Sequence, residues 1–450
     1  MNKWKSLTPE FQELVMTTEM VWNLSEPLID MIVSNFQSII KNNILSPYAI
    51  LDLFDCISSK SLKNLLSYVK LTSSFLKSQN LLKIEYPFAQ NPALQAALIK
   101  SDVISGEIPE EYANMSLDEI YMIYPKDSLK YIVFYDDIEK FKGLQDFDIF
   151  VDETYVLIDY CARNGAIKCF DYLLEKGQKL TEETMENAFI GNNTEIIHKC
   201  ESKCFVSTKC LMNCIENHHN ITAKYVKEKY VLEFPWESTL MYYNFQSFFS
   251  KLSSSKTIDD RDEYGKTALM AACEYGFFPI VSFLVENGSE VNLKDERGCS
   301  PLTFAAANNR PEIVTFLLTK GADKESKTKI GFTPLIIASQ QNSIESVVVL
   351  FNNGVDLNNS DDTGATALMI AIQEGSSDVI QFLVENGCDV NIQDSNGNSA
   401  LILAANFGNA GVVQYLIENG ANKDLANGKG FTAIQIAQEL GFTDIEEILN

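Results

Sequence analysis

The 450-residue chain is poor in the residues on which catalysis and nucleic-acid binding most often rely. It holds three histidines and four arginines (Arg163, Arg261, Arg297 and Arg310), and its formal net charge is −25. Phosphate recognition needs a basic surface, and a field of this sign repels phosphate, so nucleic-acid binding is disfavoured. No run approaches the roughly 18 apolar residues that mark a membrane helix, so no membrane association is expected. The first ten residues, Met1-Asn-Lys-Trp-Lys-Ser-Leu-Thr-Pro-Glu, lack the apolar stretch of a signal peptide. There is no P-loop, G-x-S-x-G, H-E-x-x-H or kinase signature. The expectation is therefore a protein with no catalytic residue, cofactor or small-molecule substrate. Ten cysteines sit mostly on helical apolar faces, which predicts free thiols in a reducing, cytoplasmic setting. A hydrophobic content of 46% with mean hydropathy near zero predicts a folded chain.

What the chain has in abundance is periodicity. Gly265, Gly298, Gly331, Gly364, Gly397 and Gly430 recur at one constant interval, with no insertion or deletion between them. A second comb, Gly288, Gly321, Gly354, Gly387 and Gly420, runs at the same interval and in fixed phase behind the first. Glycine supplies φ > 0 without steric cost, so each comb predicts one obligatory backbone turn per unit. Between the combs recur Thr267-Ala-Leu-Met, Ser300-Pro-Leu-Thr, Thr333-Pro-Leu-Ile, Thr366-Ala-Leu-Met, Ser399-Ala-Leu-Ile and Thr432-Ala-Ile-Gln. Ser or Thr caps a short helix, with Pro301 and Pro334 at its first position. A second helix presents apolar residues at spacings of three and four, as in Ile280/Val281/Leu284 and Val412/Val413/Leu416. Ser346 stands where the other units carry an aliphatic residue, which predicts that the third unit is the softest.

These tetrapeptides resemble the T-P-L-H signature of ankyrin repeats, and the comb interval matches the ankyrin period of about 33 residues, over 262–450. The resemblance implies an all-α, ankyrin-type solenoid of helix–turn–helix repeats with β-hairpin tips: five full repeats over 261–450 and a C-terminal capping repeat. The histidine that closes the signature is replaced by Met270, Thr303, Ile336, Met369, Ile402 and Gln435. Losing its hydrogen bond to the next turn is expected to cost roughly 0.5–1.5 kcal/mol per repeat.

Residues 126–260 echo the repeat in shortened form. Over Leu157 to Gly177, Gly165 and Gly177 have the same spacing as Gly276 and Gly288. Weaker copies run through Ala188–Ile197, Cys210–Val226 and Leu240–Leu252. The segment resembles the divergent ankyrin-like domain of uncharacterised function that precedes regular arrays in parasitic protists. Residues 1–125 read as a helical N-terminal region, with amphipathic runs over Leu28–Ile44 and Leu62–Phe75 and a helix start at Ser46-Pro47. Within 198–219, His198, Cys200, Cys204, Cys210, Cys214, His218 and His219 raise the question of zinc. The spacings are C-x3-C and C-x5-C, and three of the cysteines fall at small core positions, so the reading is core thiols and no metal.

The ankyrin resemblance implies a non-catalytic protein–protein interaction scaffold whose concave side is lined by hairpin tips and first-helix faces. In that register the protein-binding residues are Tyr264, Tyr275, Arg297, Asn308, Phe332, Gln340, Gln341, Asp362, Thr363, Gln373, Glu374, Ser395, Asn396, Asn406 and Phe407. Between Lys329 and Lys423 there is no Lys or Arg but there are ten acidic residues. The expected partner is thus a protein presenting a basic segment. The alternative is an adaptor that recruits an enzyme complex, such as a ubiquitin ligase substrate receptor, through residues 1–125.

Overall fold

The computed structural model describes residues 7–60, 64–81, 84, 86, 88, 90–117, 120, 124, 128–144 and 156–450. The chain forms two compact units, Met1–Ser255 and Lys256–Asn450. Among the described residues no helix is long and apolar enough to cross a membrane.

In the second unit each repeat begins with an Asp, Asn or, in the third repeat, Thr328, that folds the chain onto itself. Asp295 Oδ1 accepts the amide N–H groups of Arg297 (2.9 Å) and Cys299 (2.7 Å). Asp262, Asp361, Asp394 and Asn427 do the same. These local bonds stabilise a tight turn at little entropic cost. The hairpins are minimal, reduced to single antiparallel bridges such as Ser360–Thr366 and Gln393–Ser399. Thr267, Ser300, Thr333, Thr366 and Ser399 then cap the first helix by accepting the amide three positions on. The helix pairs are Ala268–Tyr275 with Phe278–Glu286, Pro301–Ala307 with Pro311–Thr319, and Pro334–Gln340 with Ile344–Asn352. They continue as Ala367–Glu374 with Ser377–Glu385, Ala400–Asn406 with Ala410–Glu418, and Ala433–Leu440 with Thr443–Leu449. Gly276, Asn309, Asn342, Gly375 and Gly408 all take positive φ between the two helices.

Consecutive hairpin tips are tied by main-chain hydrogen bonds. Glu296 N–H donates to Tyr264 O (3.2 Å), Lys329 to Arg297 (2.9 Å), Ser395 to Thr363 (2.8 Å) and Gly428 to Asn396 (2.6 Å). The expected loss of turn-to-turn bonding therefore does not occur, because the backbone makes the link without a histidine. The vacated position has another use in three repeats. Met270 Sδ, Thr303 Oγ1 and Gln435 Oε1 each accept from the backbone N–H of their own capping residue. Close approach of the tips also explains their glycines. A Cβ on Gly397 would lie 2.7 Å from the amide nitrogen of Gly428.

In the first unit, Leu157–Arg163 with Ile167–Glu175, Glu182–Gly191 with Thr194–Glu201, Thr208–Glu216 with Asn220–Tyr230, and Trp236–Met241 with Phe245–Ser254 form four more helix pairs. Their first helices follow one another more closely than those of the array, because the hairpin between units is trimmed away. Side chains at the inter-helix turns replace the missing tips. Asn193 Nδ2 donates to Gly165 O (3.0 Å), and Asn244 Nδ2 to Ile215 O (2.9 Å). His219 Nε2 lies 2.9 Å from Ile190 O. The N-terminal helices Pro9–Trp22, Ile29–Lys41, Pro47–Lys60, Leu65–Ser78 and Pro92–Lys100 pack in the same unit. Phe11 meets Phe249 at 5.2 Å, and the Trp22 ring stacks on His218 at 3.9 Å.

Candidate functional site

The array carries two rows of side chains at the repeat period. One occupies the hairpin tips: Tyr264, Arg297, Ile330, Thr363, Asn396 and Lys429. The other occupies the ends of the first helices: Tyr275, Asn308, Gln341, Glu374, Phe407 and Leu440. Exposure follows from position, since neither a turn tip nor a helix end is covered by the next repeat. Of the sequence-derived site residues, Tyr264, Arg297, Asn308, Gln341, Asp362, Thr363, Gln373, Glu374, Ser395, Asn396, Asn406 and Phe407 are exposed. Tyr275, Phe332 and Gln340 are half-buried. The structure joins Tyr264, Arg297, Thr363, Ser395 and Asn396 through the tip ladder. Ile330, 60% exposed, belongs to the tip row and is absent from the sequence-derived set. The signal that would find it is the period itself, since it lies one full repeat from both Arg297 and Thr363.

The two ends of the array differ in charge. Residues 256–329 hold ten Lys and Arg against twelve Asp and Glu, whereas 330–422 hold none against ten. In the first part several of the cations are engaged. Lys266, almost fully buried, pairs with Glu274 at 2.9 Å and stands over the Phe304 ring at 4.9 Å. Arg297 lies over the same ring at 5.7 Å and bonds Asp295. These contacts bring a tip residue onto the first helix of its own repeat. In the second part Asp362 at a tip and Glu374 at a helix end are exposed. Asp378 and Glu418 are exposed on second helices.

Cys200, Cys210 and Cys214 are buried in the core of the first unit. Burial pushes the Cys200 thiol up to about 12, far from the thiolate that binds metal. His218 Nε2 faces Tyr242 O at 2.8 Å, and desolvation lowers the pKa of both His218 and His219. Among the described residues no group of three His, Cys, Asp or Glu side chains is placed to hold a metal ion.

The family model for ankyrin repeats matches three copies, at residues 239–328, 324–394 and 386–450. A domain of unknown function (DUF3447) matches residues 176–251. Residues 239–450 are thus an array of ankyrin repeats, with a domain of unknown function ahead of it. Ankyrin repeats indicate a protein–protein interaction scaffold, and the family is generally non-catalytic. No curated protein matches the chain. Among solved structures, a chain from the complex of the predatory endopeptidase Bd0816 of Bdellovibrio bacteriovorus with the immunity protein Bd3460 is 28% identical. The match covers 42% of this chain and 98% of that one, at a TM-score of 0.38.

Proposed function

We propose that the array binds a partner protein along the face formed by its tips and first helices, and that the partner presents a basic segment to residues 330–422. The observation that carries this is the cation-free stretch between Lys329 and Lys423, with Asp362 and Glu374 exposed on it and Phe407 50% exposed in the next repeat. The acidic field steers a basic segment into encounter, and the aromatic ring supplies an apolar anchor. The ten cysteines are unpaired, which supports a reducing compartment such as the cytoplasm. Residues 1–125 act as a cap on the ankyrin-like pairs, a reading supported by the packing of Phe11 on Phe249 and of Trp22 on His218.

The test compares partners captured by proximity labelling in cells. One protein carries Asp362→Lys with Glu374→Lys, and the other carries Asp378→Lys with Glu418→Lys. The first pair should lose the main partner and the second should retain it. With the purified partner, the loss should lie in the association rate and shrink at high salt. Equal losses from both pairs would reduce the acidity to a solubility device.

A further inference from the structure

Within the first unit, the ends of helices Pro9–Trp22, Pro47–Lys60, Leu157–Arg163, Glu182–Gly191 and Thr208–Glu216 meet around a cleft of about 340 Å³. Three consecutive inter-helix turns form its floor, and Trp22 and Lys60 stand on its N-terminal side. Clefts above about 300 Å³ are of a size to enclose a small molecule.

The lining is at odds with the rest of the chain. Against a net charge of −25, the described residues around the cleft include the cations Lys60 and Arg163, two histidines whose pKa burial lowers, and no carboxylate. Lys60 lies 3.8 Å from Glu216 and over the Tyr242 ring at 5.3 Å, and Arg163 donates to Asn187 at 3.4 Å, with both cations exposed. The floor carbonyl of Ile190 already faces His219 at 2.9 Å. Trp22 Nε1 and His218 Nδ1 are buried here without a hydrogen-bond partner; because His218 Nε2 donates to Tyr242 O, its Nδ1 is an acceptor, and the Trp22 N–H is the donor of the two. His218 is 7% exposed, and its Nδ1 stands 3.7 Å from Glu19, beyond hydrogen-bond reach. The Trp22 N–H is a donor that burial leaves unsatisfied, which is costly unless a ligand or water accepts it. Trp22, Tyr124 and Phe134 supply flat apolar walls.

We infer that this cleft is a binding site for a small aromatic anion, its ring against the aromatic walls and its carboxylate or phosphate toward Lys60, Arg163 and the Trp22 N–H. The site is independent of the partner-binding face proposed for the array.

Calorimetric titration of the full chain tests it, with 2-naphthoate as probe and the uncharged 2-naphthamide and inorganic phosphate as comparisons. Naphthoate should bind with one-to-one stoichiometry and roughly tenfold more tightly than the amide, as expected when a charge-assisted hydrogen bond is lost. Phosphate alone should bind much more weakly. Lys60→Ala and Arg163→Ala should each weaken naphthoate by roughly tenfold. Lys224→Ala, which removes the same charge from an exposed second helix, should leave the affinity unchanged. Trp22→Phe keeps an aromatic wall but removes the donor, and should weaken binding severalfold even if an alanine variant fails to fold. Equal affinity for acid and amide, or equal effects of Lys60→Ala and Lys224→Ala, would overturn the proposal. So would phosphate binding as tightly as naphthoate, or no naphthoate binding at all.

Discussion

The carboxamide oxygen of Asn391 accepts the amide N–H of Asn422 at 2.7 Å, while its Nδ2 donates to Gly420 O at 3.1 Å. One side chain thus clamps the turn that follows the next second helix. The same rung recurs at Asn292, which accepts from Asp323 N–H and donates to Gly321 O, and at Asn358, which accepts from Asp389 N–H. Glu325 makes it with a carboxylate that accepts from Asp356 N–H and Asn359. These four positions form a second inter-repeat ladder alongside the tip ladder. Because the bonds are exposed, each is worth the modest net value of a solvated hydrogen bond. Asn391→Ala should destabilise the array by about 1 kcal/mol, read by chemical denaturation. A loss below the measurement error would show that water replaces the rung.

The two glycine combs should respond differently to a methyl group. Gly397 (φ 76°) and Gly387 (φ 82°) are both left-handed, but a Cβ on Gly387 meets nothing within 4 Å. Alanine at Gly387 should therefore cost only the left-handed penalty, about 1–2 kcal/mol. Alanine at Gly397 adds a clash with the backbone of Asn427 and Gly428, costing about 1–3 kcal/mol more. Melting temperatures of the two variants decide the matter, and equal shifts would mean the tips separate freely.

The array was legible because every structural demand is stated six times over. Caps, turn glycines and apolar stripes agree in phase, so one reading of Thr267 to Gly288 holds for the rest. The first unit was legible only locally. Leu28–Ile44, Ser46-Pro47 and Leu62–Phe75 correspond to helices Ile29–Lys41, Pro47–Lys60 and Leu65–Ser78; Leu62 itself lies outside the described residues. That Trp22 would lie on His218 has no local signal, because the two are far apart in the chain and neither belongs to a repeat in phase with the other. Ile330 is marked by register alone, since an isolated isoleucine at a turn carries no signal of its own. The inter-repeat asparagines carry no local signal, since Asn292, Asn358 and Asn391 read as ordinary loop residues.

Asp55 predicts a pH effect confined to the first unit. Its carboxylate is buried and accepts the amides of Gln90 (2.9 Å) and Asn91 (2.8 Å). Burial outweighs these bonds and raises its pKa to about 6. A carboxyl raised on folding stabilises the fold when protonated, and that contribution is lost as pH rises from about 4 through 6. His218 and His219, lowered by burial, act in the opposite sense: stability falls as pH drops below the ordinary histidine range. Asp55→Asn removes the first contribution and leaves the second. Its melting curve should therefore fall more steeply than the parent's between pH 6 and pH 4, and parallel curves would place Asp55 in contact with water.

Ser346 offers the sharpest test of repeat packing. It occupies the position held by Ile280, Ile313, Val379 and Val412 in neighbouring repeats, at 0% exposure to solvent for a side chain that is polar. Its amide donates to Asn309 Oδ1 at 3.1 Å, but its hydroxyl has no hydrogen-bond partner. A buried hydroxyl without a partner carries a desolvation cost of about 1–3 kcal/mol, which Ser346→Ala removes without adding volume. The alanine variant should therefore melt higher than the parent, the reverse of most core substitutions. Ser346→Val adds two methyl groups where four other repeats accommodate them, and should match or exceed alanine if the third repeat has kept the same space. If valine destabilises while alanine stabilises, the repeat has closed around the smaller residue. If alanine itself destabilises, the hydroxyl is bonded, and the third repeat is no softer than its neighbours.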